Sequence, residues 1–314
     1  MNELNSIEYT GTWEKPSRSV TAAAVIGLLG IGTIYFNLES ILMAVLLSIY
    51  KSVFNIKLSG SMLDKIKLAS IYLKAPILFS VTLSEFIFML LPTIWIIKKW
   101  HTKEVLKYLR VNSTSIGEIF LAVLITAFLF PLSSFILDML VKMLKIPPII
   151  ISANSMLFTP NSTMELIFLI LAIAITPAIC EEILFRGYFQ RTLERKLGMK
   201  SFLITGILFG LFHMQPLSLI SLMLLGVLFS FFYYRSKSIF PSSAAHFTNN
   251  FLVLLLLYLK PKDVGINNAS EIDLSVWWII ISSLISVGLF ILYLKQTKAK
   301  TEKAIENGGV VVKE

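Results

Sequence analysis

Long stretches without charged side chains dominate this 314-residue sequence and restrict the folds open to it. Several of them approach or exceed the about 20 apolar residues that cross a bilayer as a helix. Apolar residues make up 56% of the chain and charged residues only 15%, whereas a soluble domain carries about 25% charged residues. The sequence therefore predicts an all-α membrane protein, a polytopic bundle of about eight transmembrane helices.

The start of the chain is less clear than the rest. The apolar runs 20–36 and 41–54 fit either two short spans or one span followed by an interfacial helix. The first 18 residues have no cleavable pattern, so residues from 20 onward are interpreted as a membrane helix and not as a signal peptide. Beyond residue 75 the predicted spans are 77–97, 119–140, 166–179, 202–213, 217–234, 241–259 and 276–294.

Basic loops predict the orientation of the bundle. The loops that follow the spans ending at residues 97, 179 and 234 fall on the same side as the lysine-rich tail. The positive-inside rule assigns that side to the cytoplasm. The lysines between residues 57 and 74 fall on the opposite side, against the rule.

Two adjacent carboxylates and an arginine close the apolar run that begins at residue 166. Glu182 and Arg186 stand four residues apart on one helix face and can pair, whereas Glu181 points about 100° away. Ionised groups at membrane depth are costly and commonly functional. We expect Glu182 to be structural and Glu181 to be available for chemistry, although a solvated helix end at the headgroups also explains this pattern.

Local signals set the bounds of this helix. Ser162 and Glu165 form a capping-box pattern at its start, and Pro177 removes one backbone hydrogen bond and favours a kink. The basic residues from 186 to 200 are predicted to lie outside the membrane, on a segment that Gly198 ends.

Two histidines lie inside later apolar runs. His213 ends the predicted span 202–213, and His246 shares a helix face with Asn250 in the span 241–259. At 1.5 Å per residue, His213, His246 and Asn250 lie about 16, 7 and 13 Å from the start of their spans. A lone histidine there is commonly a packing residue, but these three side chains with Glu181 predict a shared polar site in the cytoplasmic half. Glu85, inside the span 77–97, is expected to pair with a partner in the bundle or to line a polar cavity.

Three short motifs follow one another on successive predicted helices: Glu181-Glu182-x-x-x-Arg186, Phe209-x-x-x-His213 and His246-x-x-x-Asn250. They resemble the motifs of the type II CAAX prenyl endopeptidase family and its bacterial relatives, the CAAX protease and bacteriocin-processing (CPBP, Abi) proteins. Each motif alone is weak, but their order inside apolar spans is specific. The resemblance covers about residues 166–259 and favours the bacterial branch.

The resemblance implies an intramembrane glutamic endopeptidase that needs no cofactor. Glu181 and His213 would hold and activate the water that attacks a peptide bond, and His246 and Asn250 would stabilise the oxyanion. The remaining motif residues would be structural or orient the site: Glu182, Arg186 and Phe209. The chain then divides into N-terminal membrane helices at 1–150, a catalytic core at 151–262, and a last membrane helix with a basic cytoplasmic tail at 263–314.

Three other interpretations stay open. Two histidines and a glutamate could hold zinc with a water in the fourth position, although no H-E-x-x-H helix is present. Cys180, the single cysteine, could be a nucleophile. The chain could also be a non-catalytic scaffold or a bacteriocin-immunity protein.

The expected substrate is a membrane-associated protein or peptide within the lipid bilayer, such as a peptide precursor, a pheromone or a membrane-anchored regulator. No nucleic-acid partner is expected, because the net charge of +9 is spread over loops and tail and fits anionic lipid better. We expect the protein in a bacterial cell membrane, with its site open to the cytoplasm.

Overall fold

The computed structural model describes residues 7–147, 155–259 and 275–297. Within these ranges the chain forms helices and no strand, and short helical turns lie at Val105–Tyr108 and at residues 155–158. The predicted divisions near residues 150 and 262 and the tail lysines from 298 onward lie outside the described residues. The helices are α1 (Val20–Val53), α2 (Met62–Tyr72), α3 (Lys74–His101), α4 (Ile116–Met143), α5 (Thr163–Leu197), α6 (Lys200–Phe212), α7 (Leu219–Ser236), α8 (Phe240–Leu259) and α9 (Val276–Gln296).

Seven of the described helices are long and apolar enough to cross a membrane, namely α1, α3, α4, α5, α7, α8 and α9. The predicted all-α polytopic bundle is confirmed, and the protein is an integral membrane protein. Helix α6 has only 13 residues and is therefore about 20 Å long. The predicted span 202–213 is thus a short helix that ends before it could cross the bilayer.

The N-terminal apolar runs form one helix of 34 residues, α1. Neither of the two sequence interpretations, two short spans or one span with a separate interfacial helix, was right. The polar residues between the runs do not interrupt the helix, because Asn37 donates to the Thr33 carbonyl at 2.8 Å and Ser40 to the Phe36 carbonyl at 2.7 Å. Side chains that bond to the preceding helical turn need no water at membrane depth.

The predicted basic loops gather at one end of the bundle, which we call the basic end and define as residues 7–19, 98–115, 191–200 and 235–239. Glu14 joins the segment before α1 to this end through two bonds from Arg195, both of 2.7 Å, and one with His101 at 2.6 Å. Burial opposes the charge of Glu14, but these hydrogen bonds lower its pKa to about 2. Glu14 is therefore ionised at neutral pH and forms an ion pair with Arg195.

Helix α5 carries the carboxylate motif and is continuous from Thr163 to Leu197. Ser162 caps its start by accepting from the Glu165 amide at 3.2 Å, and Gly198, at φ +53°, ends it. Both predicted bounds are confirmed. Arg186, however, is fully buried inside the bundle. A buried carboxylate, Glu182, neutralises its guanidinium, and its placement outside the membrane stays a prediction.

Helices α6 and α7 form an antiparallel hairpin whose backbones are in close contact. A Cβ on Gly206 would lie 2.3 Å from the Val227 amide nitrogen, and one on Gly226 would lie 2.5 Å from the Gly206 carbonyl oxygen. Small residues permit such an approach between membrane helices. The hairpin places His213 directly after α6 and turns the Gly226 carbonyl towards α5.

Candidate active site

Glu181 of α5 lies between two histidines that come from other parts of the bundle. Its Oε2 atom is 3.7 Å from Nε2 of His213, at the end of α6, and 3.9 Å from Nε2 of His246, in α8. Both gaps exceed a hydrogen bond, and Oε2 has no partner among the described residues. Water bridges polar atoms across gaps of this kind.

The Nδ1 atom of each histidine lies next to a hydrogen-bond acceptor, which determines the tautomer of the ring. Nδ1 of His213 is 2.8 Å from the Phe209 carbonyl oxygen, and Nδ1 of His246 is 2.9 Å from Oε1 of Glu182. A carbonyl or a carboxylate only accepts, so each Nδ1 carries the proton and donates it. In the neutral rings each Nε2 is therefore an acceptor that faces Glu181.

Glu182 and Arg186 form the ion pair predicted from their spacing. Oε1 of Glu182 accepts from Nη1 of Arg186 at 2.6 Å, and neither side chain is exposed. The second guanidinium nitrogen donates to the Gly226 carbonyl at 3.0 Å. The rings of Phe209 and Phe229 lie against the guanidinium, with centroids at 4.4 and 5.6 Å. Glu182 thus joins α5 to His246, and Arg186 neutralises it.

Phe209 connects the ion pair to both histidines. Its ring meets His213 edge to face at 4.7 Å and His246 at 5.6 Å. Its own carbonyl fixes the His213 tautomer. The side chain is 1% exposed, so this motif residue positions both rings from within the bundle.

Asn250 lies near the cluster but has a partner outside it. Its Nδ2 donates to the Ile173 carbonyl at 2.9 Å. In an α-helix that carbonyl would accept from the amide of residue 177, which is a proline here and has no hydrogen to donate. A π-helical stretch, Ile170–Ile175, precedes the proline. Asn250 therefore holds α8 against the point where α5 lacks a backbone donor.

Glu85 of α3 is a buried acid whose surroundings the sequence did not reveal. It is 3% exposed, and its Oε2 has no hydrogen-bond partner among the described residues. Of the two sequence interpretations, pairing with a partner in the bundle is not found among the described residues, and a place in a polar cavity stays a prediction. The charge inside an apolar span was visible in the sequence, but its position beside α5 was not.

The fold and these contacts define a class of protein: a polytopic helical membrane protein with a buried glutamate and histidine site. Residues 163–252 match the family model described as Type II CAAX prenyl endopeptidase Rce1-like. This segment runs from the first residue of α5 into α8 and contains every residue of the three motifs. The match supports the family that the motifs predicted, and with it a protease. No curated protein and no solved structure matches the chain.

Proposed function

We propose that this protein is an intramembrane glutamic endopeptidase that hydrolyses a peptide bond of a membrane-associated protein or peptide. One observation carries the proposal. Glu181 Oε2 faces the Nε2 atoms of His213 and His246, and each ring is held by a defined acceptor on its other nitrogen. A carboxylate and two oriented imidazoles are sufficient to bind a water and to move its proton.

The proposed reaction begins with a water held between Glu181 and His213. Glu181 takes a proton as the water oxygen bonds to the carbonyl carbon, and the carbonyl oxygen becomes an oxyanion. His246 can carry a second proton at Nε2 while its Nδ1 keeps the hydrogen bond to Glu182. In that state Nε2 donates a hydrogen bond to the oxyanion. The proton on Glu181 then passes to the leaving nitrogen as the C–N bond breaks, which gives a carboxylic acid and an amine and leaves Glu181 ionised again.

Asn250 would assist the oxyanion with the half of its amide that Ile173 does not use. Its Nδ2 atom has two hydrogens, and one donates to the Ile173 carbonyl. A donor directed at the oxyanion contributes about 2.7–4 kcal/mol in known cases. The same side chain would then hold α8 in place and serve the reaction.

A pair of variants separates these two roles of Asn250. Asn250→Ala should lower the free energy of unfolding by about 1–3 kcal/mol, because the Ile173 carbonyl loses its donor. Adding Pro177→Ala supplies a backbone N–H at the position an α-helix uses for that carbonyl. We expect the double variant to regain stability in thermal unfolding while proteolysis remains low. Recovery of proteolysis together with stability would assign Asn250 a packing role alone.

Zinc is the alternative for the same donors. Histidines that bind zinc commonly donate their other ring N–H to a carboxylate or a carbonyl, as His213 and His246 do. However, no group of three or more His, Cys, Asp or Glu side chains in the described parts of the chain has the spacing to hold a metal ion. The donor types fit zinc, but no such group is found among the described residues, so the proposed reaction is written without a metal.

Proteolysis by the purified chain tests the proposal. The full-length protein in lipid nanodiscs is incubated with a library of membrane peptides, and the cut bonds are mapped by mass spectrometry. We expect cleavage that persists after treatment with a chelator. Loss of cleavage that zinc restores would favour the metalloprotease. We also expect cleavage by Cys180→Ala, since Cys180 is fully buried, and its loss in that variant would favour a cysteine nucleophile.

The orientation belongs to the same proposal, in which the basic end faces the cytoplasm of a bacterial cell and the site opens to that side. Lys15 lies at the basic end and Lys57 lies beyond the other end of α1, and both are exposed. In a Cys180→Ala background, Lys57→Cys should react with an impermeant thiol reagent on intact cells, and Lys15→Cys should react only after permeabilisation. The reverse pattern would overturn the assignment.

A further inference from the structure

Glu85 is a buried acid that the proposed reaction does not use. It is the first residue of a π-helical stretch of α3, Glu85–Leu90. This stretch packs against α1 and against Thr176–Glu182 of α5. Only 3% of the residue is exposed, and its Oε2 has no hydrogen-bond partner in the described ranges. A buried carboxylate without a donor is costly, so this atom points to a donor that a ligand would bring.

The neighbours of Glu85 place it next to the catalytic carboxylate. Met89, one turn further along α3, lies in one apolar cluster with Cys180, and Tyr35 of α1 packs against that cluster. Cys180 directly precedes Glu181, and Glu39 follows Tyr35 by one turn on the same face of α1. Tyr35 interacts electrostatically with Glu39, Glu85 and Glu181, and Glu85 with Glu181.

This neighbourhood contains three acidic side chains, Glu39, Glu85 and Glu181. No lysine or arginine in the described parts of the chain forms an ion pair with Glu39, Glu85 or Glu181. Arg186 also interacts with Glu181, but it is bonded to Glu182 and to the Gly226 carbonyl. In a low-dielectric interior such acids strongly favour a cation. A second acid or a free carboxyl group would be repelled.

We propose that Glu85, with Glu39, forms a subsite for a basic side chain of the substrate, a lysine or an arginine within one or two residues of the cleaved bond. The inference rests on the proposed endopeptidase function and specifies its substrate class as a membrane peptide with a cation next to the scissile bond. Glu85 would bind the ammonium or guanidinium group, and Glu39, which is half-buried on α1, would attract it during entry. Glu85 is thus a specificity-determining residue.

Matched peptides measure this preference. A peptide cut by the wild-type protein is made in three versions that carry lysine, norleucine or glutamate at each position within two residues of the mapped bond. At one of these positions we expect kcat/KM for lysine to exceed that for norleucine by at least about tenfold, as for close charge pairs, and glutamate to be rejected. Glu85→Gln should reduce the lysine to norleucine ratio to near one, and Glu39→Gln should lower it in part.

The control is Asp138→Asn, which removes the same charge near the C-terminal end of α4, where the half-buried Asp138 pairs with Lys142 at 2.8 Å. It should leave the lysine preference unchanged. If the wild-type protein cuts the three peptides equally, or if Glu85→Gln keeps the preference, the subsite is refuted while the protease stands.

Binding separates failure of the subsite from failure of the protease. His213→Gln removes one ring of the site and keeps all three carboxylates, so its affinity for the fluorescent peptides can be measured by anisotropy without turnover. We expect lysine peptides to bind at least about tenfold more tightly than norleucine peptides, and addition of Glu85→Gln to abolish the difference. If no peptide is cut but this difference is found, the subsite stands and proteolysis fails. Equal binding overturns the subsite.

Discussion

Replacement of Glu181 by glutamine is expected to abolish peptide-bond hydrolysis while the helical bundle stays folded. Glutamine has almost the same shape but cannot take the proton of a water. The carboxylate makes no hydrogen bond with Oε2 in the described structure, and its side chain is 14% exposed, so the fold loses little. Removal of a general base costs about 10²–10⁴-fold in rate.

The measurement is kcat/KM for a mapped peptide with the variant in nanodiscs, together with its thermal unfolding. Asp138→Asn is the matched control, since it removes an acid from a membrane helix outside the site, and it should keep wild-type activity. If Glu181→Gln cleaves as well as the control, Glu181 is not the base. If instead the variant cleaves no peptide but preserves cellular function, the scaffold or immunity interpretation applies.

The parts of the fold that the sequence predicted depend on local rules. Uninterrupted apolar runs gave the helices from α3 to α9, because a backbone in lipid must satisfy its own hydrogen bonds. The spacing of Glu182 and Arg186 gave their ion pair, because side chains four apart share a helix face. The conjunction of the three motifs gave the family. Each of these signals lies within one helix or in the order in which a few helices follow one another along the chain.

The parts that the sequence could not predict depend on contacts between distant segments. The use of Asn250 on the Ile173 carbonyl requires α8 to meet α5 at Pro177. The unpaired state of Glu85 depends on which helices surround α3. The end of α6, by contrast, was predicted within one residue, because the apolar run stops at residue 213 and Pro216 shortly after it cannot continue a helix.

The buried ion pair should respond to mutation in a way that no surface pair does. Glu182→Leu leaves the guanidinium of Arg186 without its anion at a site with no exposure. Breaking such a pair from one side costs about 3–5 kcal/mol. We expect the single variant to lose about that much stability. Asp138 and Lys142 have the same spacing and a 2.8 Å contact, but the Lys142 side chain is 63% exposed, so Asp138→Asn should cost less than about 1 kcal/mol.

The double variant Glu182→Leu with Arg186→Met separates stability from catalysis. Replacing both charges with apolar groups removes the unpaired guanidinium, and such replacements are commonly neutral or stabilising. We therefore expect the double variant to unfold near the wild-type temperature. Proteolysis should remain lost, because Nδ1 of His246 no longer has the acceptor that fixes its tautomer and stabilises its charged form. Unfolding in detergent and kcat/KM for the same peptide measure the two effects. A stable double variant with wild-type cleavage would contradict the orienting role of Glu182, because His246 would then support cleavage without the Glu182 carboxylate.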